Sequence, residues 1–302
     1  MTTAEMNEEL KSGELFLSPG EYDLDGTLYV PRGSGIIGDG EVVLRVGGNF
    51  PAIVVDGGGV ALVGFSVVVY HGPYSNHAIL ARHSSGLEVE SVEVRSEASA
   101  SNAGICVYRC SDVRIAGCSA EGFRFGIFLT TSVSKALVRD CYVSGCPTGI
   151  YVYGAEGTCD WIEITGCRVR NERGAGENGT DGILMDRCTS VFVHENFLST
   201  NMEHGLYLSG VYLGVVRDNF CVDNTVNGIQ MVSSSEVVVE GNTCSYNGGN
   251  GIYLDRCSRN VVKDNSCVFN EKWGILEVSG DGTDVIVGNY TFSNSLGNVH
   301  RG

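Results

Sequence analysis

From Val191 to Asn294 the chain repeats a short pattern in which apolar and polar residues alternate with period two, as in Gly251-Ile252-Tyr253-Leu254, with breaks at Gly, Asn, Asp or Ser. Four segments align: NMEHGLYLSG, NTVNGIQMVSS, NGGNGIYLDRC and NEKWGILEVSG, each with a glycine followed by an aliphatic residue. Those glycines, Gly205, Gly228, Gly251 and Gly274, lie 23 residues apart. Two asparagine series keep the same step: Asn196, Asn219, Asn242 and Asn265, with Asn289 one residue late, and Asn201, Asn224, Asn247 and Asn270, with Asn294. A fixed period of this length marks a solenoid. No segment is long enough for a helix pair and no leucine-rich consensus is present. The pattern therefore predicts an all-β parallel β-helix, with three short strands per coil stacked about 4.8 Å apart. Asparagine suits its turns, because Asn tolerates the left-handed backbone region and stacked amides hydrogen-bond along the axis.

Extending the glycine position backwards gives Gly182, Gly149, Gly126, Gly104, Ala78 and Ala52. The step from Gly149 to Gly182 is 33 residues, ten more than its neighbours, so loops are expected to leave the coil at about 154–160 and 171–179. Ahead of the coils, Thr2 to Leu10 reads as a short amphipathic helix with Thr3 as N-cap. Residues 1–12 are thus predicted as a cap and 13–302 as one β-helix domain. No amphipathic helix follows Asn294, which predicts that a loop, a partner subunit (a homo-oligomer through the C-terminal end) or a further domain covers the last rung.

If the aliphatic residue after each glycine points inward, the residues two and four after the glycine share an outer face. That face carries Cys106, Tyr108, Phe128, Tyr151, Tyr153, Leu184, Asp186, Tyr207, Gln230, Tyr253 and Asp255. Tyrosine rings can stack on pyranose C–H surfaces while Asp and Gln bond hydroxyls, although exposed Tyr also has high strand propensity. The residues just before the glycines lie at a turn edge, and among them Asp181 and His204 fall one coil apart, about 5 Å by strand spacing. Glu203 precedes His204 and Asp186 ends the strand that Asp181 begins. A histidine between carboxylates can divide acid and base roles.

Composition narrows the partners. A net charge of −16 with no basic run argues against nucleic acid, and a polyanionic saccharide would need local compensation. No stretch approaches a membrane span, and the start lacks a signal-peptide pattern, which predicts a cytoplasmic or virion-associated chain, secreted only where a leader has been removed. The 12 cysteines agree with a reducing origin. Cys118, Cys141 and Cys167 occupy the position that later coils give to Asn196, and Cys221, Cys244 and Cys267 form a second stack. With no CxxC pair they read as small buried hydrophobes rather than zinc ligands.

One segment, GELFLSPGEYDLDGTLYVPRGSGIIGDG (Gly13 to Gly40), resembles the opening of the pectate-lyase-like superfamily of β-helices. The resemblance implies a single-stranded right-handed parallel β-helix of about eleven coils, roughly 50 Å long, with a short N-terminal capping helix. That superfamily holds polysaccharide lyases, polygalacturonase-type hydrolases, uronan epimerases and phage tailspikes, so it specifies fold more than activity. Asn178-Gly179-Thr180-Asp181-Gly182 is similar to the Asn-Thr-Asp-Gly motif of polygalacturonase-type hydrolases with one glycine inserted, and His204-Gly205-Leu206 resembles their Gly-His-Gly motif. By that resemblance Asp181 is a catalytic carboxylate and His204 an assisting group. The family's paired aspartates on the intervening coil are missing, with Glu203 and then Asp186 the nearest substitutes, and the Asp-Pro-His motif of mannuronan epimerases is absent.

The first expectation is therefore a polysaccharide hydrolase, lyase or epimerase using Asp181, His204, Glu203 and Asp186. Its glycan would lie against Tyr151, Tyr153, Arg187, Tyr207, Gln230, Tyr253, Asp255 and Arg256. A lyase or epimerase would take Tyr207 or Tyr253 as base and Arg187 or Arg256 to neutralise a uronate. No metal site and no cofactor are predicted. Calcium stays open as a ligand, though Asp186 and Asp255 lie three coils apart and could not share one ion. A non-catalytic glycan-binding or virion adhesin is the alternative, and a small-molecule lyase or isomerase with a pocket under the inserted loops is the third. His71, His77 and His83 read as surface residues, His194 as a turn residue, and Trp273 as either a sugar platform or an end cap.

Overall fold

A computed structural model describes residues 1–70, 77–97, 102–154, 158–171 and 181–302. Helix α1 (Thr3–Leu10) opens the chain. Its N-cap is Thr2, one residue earlier than expected, because the Thr2 hydroxyl accepts the Glu5 N–H while the Glu5 carboxylate accepts the Thr2 N–H. Met6 and Leu10 point into the first coil and are fully buried, so α1 closes that end of the core.

Beyond α1, the described residues form 36 strands in three parallel sheets of twelve, each strand pairing with the one three further along the chain. The solenoid has twelve coils rather than eleven, because Leu28–Val30 precedes the Ala52 coil and Gly297–Arg301 pairs beyond Trp273–Val278. Successive strands of the third sheet, which carries the repeat glycines, stack Ile183, Leu206, Ile229, Ile252 and Ile275 inward in register. Cys221, Cys244 and Cys267 stack likewise in the second sheet, and all 12 cysteines are buried and unpaired. Cys106 falls in the expected outer-face row, in register with Leu80 and Phe128, but is buried there. No helix among the described residues is long and apolar enough to cross a membrane.

Asparagines join the coils at two corners. Asn247 shows the pattern: its Oδ1 accepts the Asn224 N–H (3.1 Å) and the Asn224 Nδ2–H (3.0 Å), while its own Nδ2 donates to Cys221 O (3.0 Å) and Asn270 Oδ1 (2.9 Å). One amide thus satisfies two buried backbone groups of the preceding coil, the Asn224 N–H and the Cys221 carbonyl, and passes the ladder on to the next. The Asn196 series does the same, with Cys167 donating its N–H to Asn196 Oδ1 at 2.9 Å where the cysteine stack meets it.

The ladder also explains the glycine repeat. A Cβ on Gly228 would lie 2.7 Å from Gly251 O and 2.9 Å from both Asn247 Nδ2 and Cys244 Cβ. Space against the amide and cysteine stacks, rather than an unusual φ, excludes a side chain there. Asn247→Leu is expected to strand at least two buried backbone groups and lose about 3 kcal/mol or more in urea denaturation. Gly228→Ala should be destabilised by overpacking, by about 1–3 kcal/mol. Wild-type midpoints in both would refute this account of the repeat.

Candidate active site

At the entry to the third-sheet strands runs a third, shorter ladder that the repeat alone did not reveal. Asp181 Oδ1 accepts the His204 N–H (3.2 Å), His204 Nδ1 accepts the Asn227 N–H (3.2 Å), Asn227 Oδ1 accepts the Asn250 N–H (2.7 Å), and Asn250 Oδ1 accepts the Trp273 N–H (3.1 Å). Every coil here supplies an acceptor to the next. Asn does so at two positions, whereas Asp181 and His204 hold the same bonds with groups that can also move a proton.

The trio Asp181, Glu203 and His204 converges, with one side-chain donor atom of each within 4.8 Å of the others. Asp181 and His204 are buried and Glu203 is half-buried. Burial pushes the Asp181 carboxyl up to about 7; the His204 N–H opposes that shift and the Glu203 charge adds to it. Burial also holds the His204 imidazole down at about 4, so it is neutral near pH 7. With the Asn227 N–H on Nδ1, the imidazole proton sits on Nε2 as a donor.

Asp186 stands outside the trio. It pairs with Arg187 at 3.2 Å, and Arg187 also lies over the Tyr153 ring and donates to its hydroxyl at 3.4 Å. Tyr207 lies on the same face, its ring edge-on to His204 at 5.4 Å, within the fields of both Asp181 and Asp186. The register runs Tyr151, Leu184, Tyr207, Gln230, Tyr253 across successive coils, as the alternation predicts. Arg256 pairs with Asp255 at 3.0 Å. Asp186 and Asp255 are three coils apart, and both arginines expected to neutralise a uronate already face a carboxylate.

Tyr207 and Tyr253 make poor bases, because desolvation raises both phenols. Upstream, Phe128 stacks on Tyr151 (5.1 Å) and Tyr151 meets Tyr153 (5.6 Å), as the alternation expects, and Phe125, not expected on that face, packs on Phe128 (4.8 Å). Trp273 stacks on His300 at 4.8 Å. His77 is half-buried, and desolvation holds its imidazole down at about 4, while His83 lies edge-on to Tyr108. His71, residues 155–157 of the first predicted loop, residues 172–179 of the second, and Asn178 to Thr180 of the hydrolase-like motif lie outside the described residues.

Comparisons with known proteins agree on the scaffold. Residues 51–176 match the family described as right handed beta helix region, and residues 158–300 the family described as periplasmic copper-binding protein (NosD). No curated protein matches. Among solved structures, the mannuronan C-5 epimerase AlgE4 A-module of Azotobacter vinelandii is 13% identical, covering 99% of this chain and 93% of that one, with a TM-score of 0.82. The periplasmic alginate epimerase AlgG is 15% identical over 94% of this chain and 78% of that one (TM-score 0.69). PfbA, a surface adhesin of Streptococcus pneumoniae, is 11% identical over 99% and 87% (TM-score 0.56).

The donors here do not fit a copper site of the soft, thiolate-rich kind. The cysteines are dispersed in core stacks, and burial holds Cys106 and Cys146 up at about 12, against the thiolate that would bind metal. Among the described residues only Asp181, Glu203 and His204 approach ligand spacing. Two carboxylates and an imidazole fall short of the six to eight oxygens that calcium prefers.

The raised Asp181 pKa has a stability consequence. The folded chain holds its proton up to about 7, whereas an unfolded Asp loses it near 3.8, so this contribution is fully present below about 3.8 and is lost as pH rises through about 7. Asp181→Asn keeps an acceptor for the His204 N–H and never ionises. It should be more stable than wild type at about pH 8, by up to a few kcal/mol, with the difference closing towards about pH 4. Urea midpoints for the two proteins that run parallel across this range would contradict the assignment.

Proposed function

We propose that this chain, whose fold is that of right-handed parallel β-helix proteins, is a polysaccharide-modifying enzyme whose glycan lies along the tyrosine-bearing third sheet. Acid–base chemistry falls to Asp181, Glu203 and His204. The observation that carries this reading is the substitution of Asp and His, beside Glu203, into an acceptor ladder that Asn227 and Asn250 serve with amides.

The division of labour follows from the environments. Asp181, titrating at about 7, is a general acid that still holds a proton at neutral pH. Glu203 faces it as the carboxylate partner. The His204 Nε2–H is a neutral donor for a substrate oxygen on which charge develops. Tyr151, Tyr153, Tyr207 and Tyr253 offer ring faces to the sugars, with Gln230 beside them for hydroxyls.

Hydrolysis is the reaction this arrangement supports best. Two carboxyl groups with oxygens within 4.8 Å suit cleavage through a covalent intermediate, being too close for the water that an inverting mechanism places between them. Elimination or epimerisation has less support, since the phenols are raised, both arginines face carboxylates, and the Asp-Pro-His motif is absent. The likeness in fold to AlgE4 and AlgG still makes mannuronan and alginate the first polymers to test. A non-catalytic glycan-binding adhesin is the second reading. The same ladder favours it, because Asp181 and His204 each do structural work that would keep them in place without catalysis.

The experiment is a panel of neutral and uronic polysaccharides, assayed for new reducing ends, unsaturated uronate and C5 inversion. Asp181→Asn, Glu203→Gln and His204→Ala are expected to lower kcat by about 10²–10⁴-fold with binding retained. The wild-type rate should fall as pH rises through about 7, where Asp181 loses its proton. Binding without turnover on every polymer would move the assignment to the adhesin.

A further inference from the structure

A different face of the solenoid carries a hollow of its own. On the outer side of the first sheet, the strands Ser134–Arg139, Cys159–Thr165, Cys188–His194 and Tyr212–Arg217 enclose a concavity of about 540 Å³. Its floor is aromatic: Trp161 and Phe192, with ring centroids 6.2 Å apart and planes inclined by 34°. Trp161 is 59% exposed and stands at φ +55°, a left-handed conformation that a bulky side chain rarely adopts. Corresponding positions on neighbouring coils, also left-handed, hold Asp112, Lys135, Ser190 and Leu213. The fold therefore needs no indole there, and the ring faces outward over the hollow.

Polar groups surround the rings, and each charge has a partner. His194 Nε2 meets Glu163 Oε1 at 2.9 Å, and His194 Nδ1 meets Thr165 Oγ1 at 3.2 Å and Glu195 Oε1 at 3.4 Å. Lys135 lies 3.8 Å from Asp112, and Arg217 lies 2.7 Å from Asp218. A hollow whose charges are balanced has no unmet demand for an ionic ligand. Its paired donors and acceptors can still bond hydroxyls around a ring resting on aromatic faces.

We infer that this hollow binds a neutral pyranose unit of a glycan, at a site separate from the third-sheet face. The inference goes beyond the enzymatic reading and stands without it, since no residue of the hollow belongs to the Asp181 trio. In the full chain, the site would hold a neutral stretch of polymer while the tyrosine-bearing face holds another.

The chain has only two tryptophans, Trp161 and Trp273, so a Trp273→Phe protein reports on Trp161 alone. Its fluorescence is titrated with neutral cello-, xylo- and manno-oligosaccharides and with oligouronates, and affinities are measured by calorimetry. A neutral oligosaccharide is expected to shift the Trp161 emission saturably, with little change when salt is raised. Trp161→Asn should weaken binding about tenfold or more, and Phe192→Ala should follow it. Asparagine accepts a left-handed φ, so Trp161→Asn should keep the wild-type melting temperature, while Phe192→Ala tests the site without touching that position. Asp181→Asn should bind as wild type does. The proposal is overturned if no neutral oligosaccharide moves the emission, if only oligouronates bind and salt abolishes it, or if Trp161→Asn and Phe192→Ala bind normally while Tyr207→Ala does not.

Discussion

At the two asparagine corners the chain turns and leaves one problem: neighbours such as Asp223 and Thr225 donate to backbone carbonyls of adjacent coils, whereas the buried Asn224 N–H needs another acceptor. The coil-to-coil side-chain acceptor solves it. An asparagine amide can receive an N–H of the preceding coil, donate to a carbonyl of that same coil and pass a bond to the next amide, so one residue type repeated at one spacing serves the corner along its length. Much of the rest follows. The glycine column is small because the amide and cysteine stacks occupy the space a Cβ would need, and the inward aliphatic stack keeps its register because a one-residue slip would break every ladder bond.

The candidate site grows out of that constraint rather than sitting on top of it. The entry to the third sheet needs an acceptor for the next coil, and an amide, a carboxylate or an imidazole nitrogen will serve. Asp181 and His204 meet the structural demand while bringing titratable groups into a buried place beside Glu203. Burial then acts on them in opposite senses, keeping a proton on the carboxyl and removing one from the imidazole. An acid and a neutral donor arise side by side from a single cause, desolvation at a coil corner.

The flat outer faces have a different character. On the third sheet, tyrosines share the surface with carboxylates that are bound to arginines, and on the first sheet an aromatic pair lies among balanced charges. Parallel strands about 4.8 Å apart present such groups in straight rows. Extended polymers of rings suit rows, and the proposed glycan contacts on two faces rest on that geometry.

Sequence alone determined the repeat, the three-strand coil, both main asparagine ladders, the buried cysteine stacks and the alternation that puts Tyr151, Tyr207, Gln230 and Tyr253 in one row, because all are set by local spacing and a period of two or 23. The adjacency of Asp181 and His204 was legible for the same reason, one coil being one register step. Tertiary structure decided what spacing cannot express. Desolvation of Asp181 depends on everything packed above it, and the assignment of the His204 proton depends on the Asn227 N–H. The engagement of Arg187 and Arg256 by adjacent carboxylates depends on side-chain direction, and so does the separation of Asp186 from the trio. The first-sheet hollow was invisible for a related reason: Trp161, Phe192, Glu163 and His194 come from adjacent coils, in a part of the chain where insertions blur the 23-residue step.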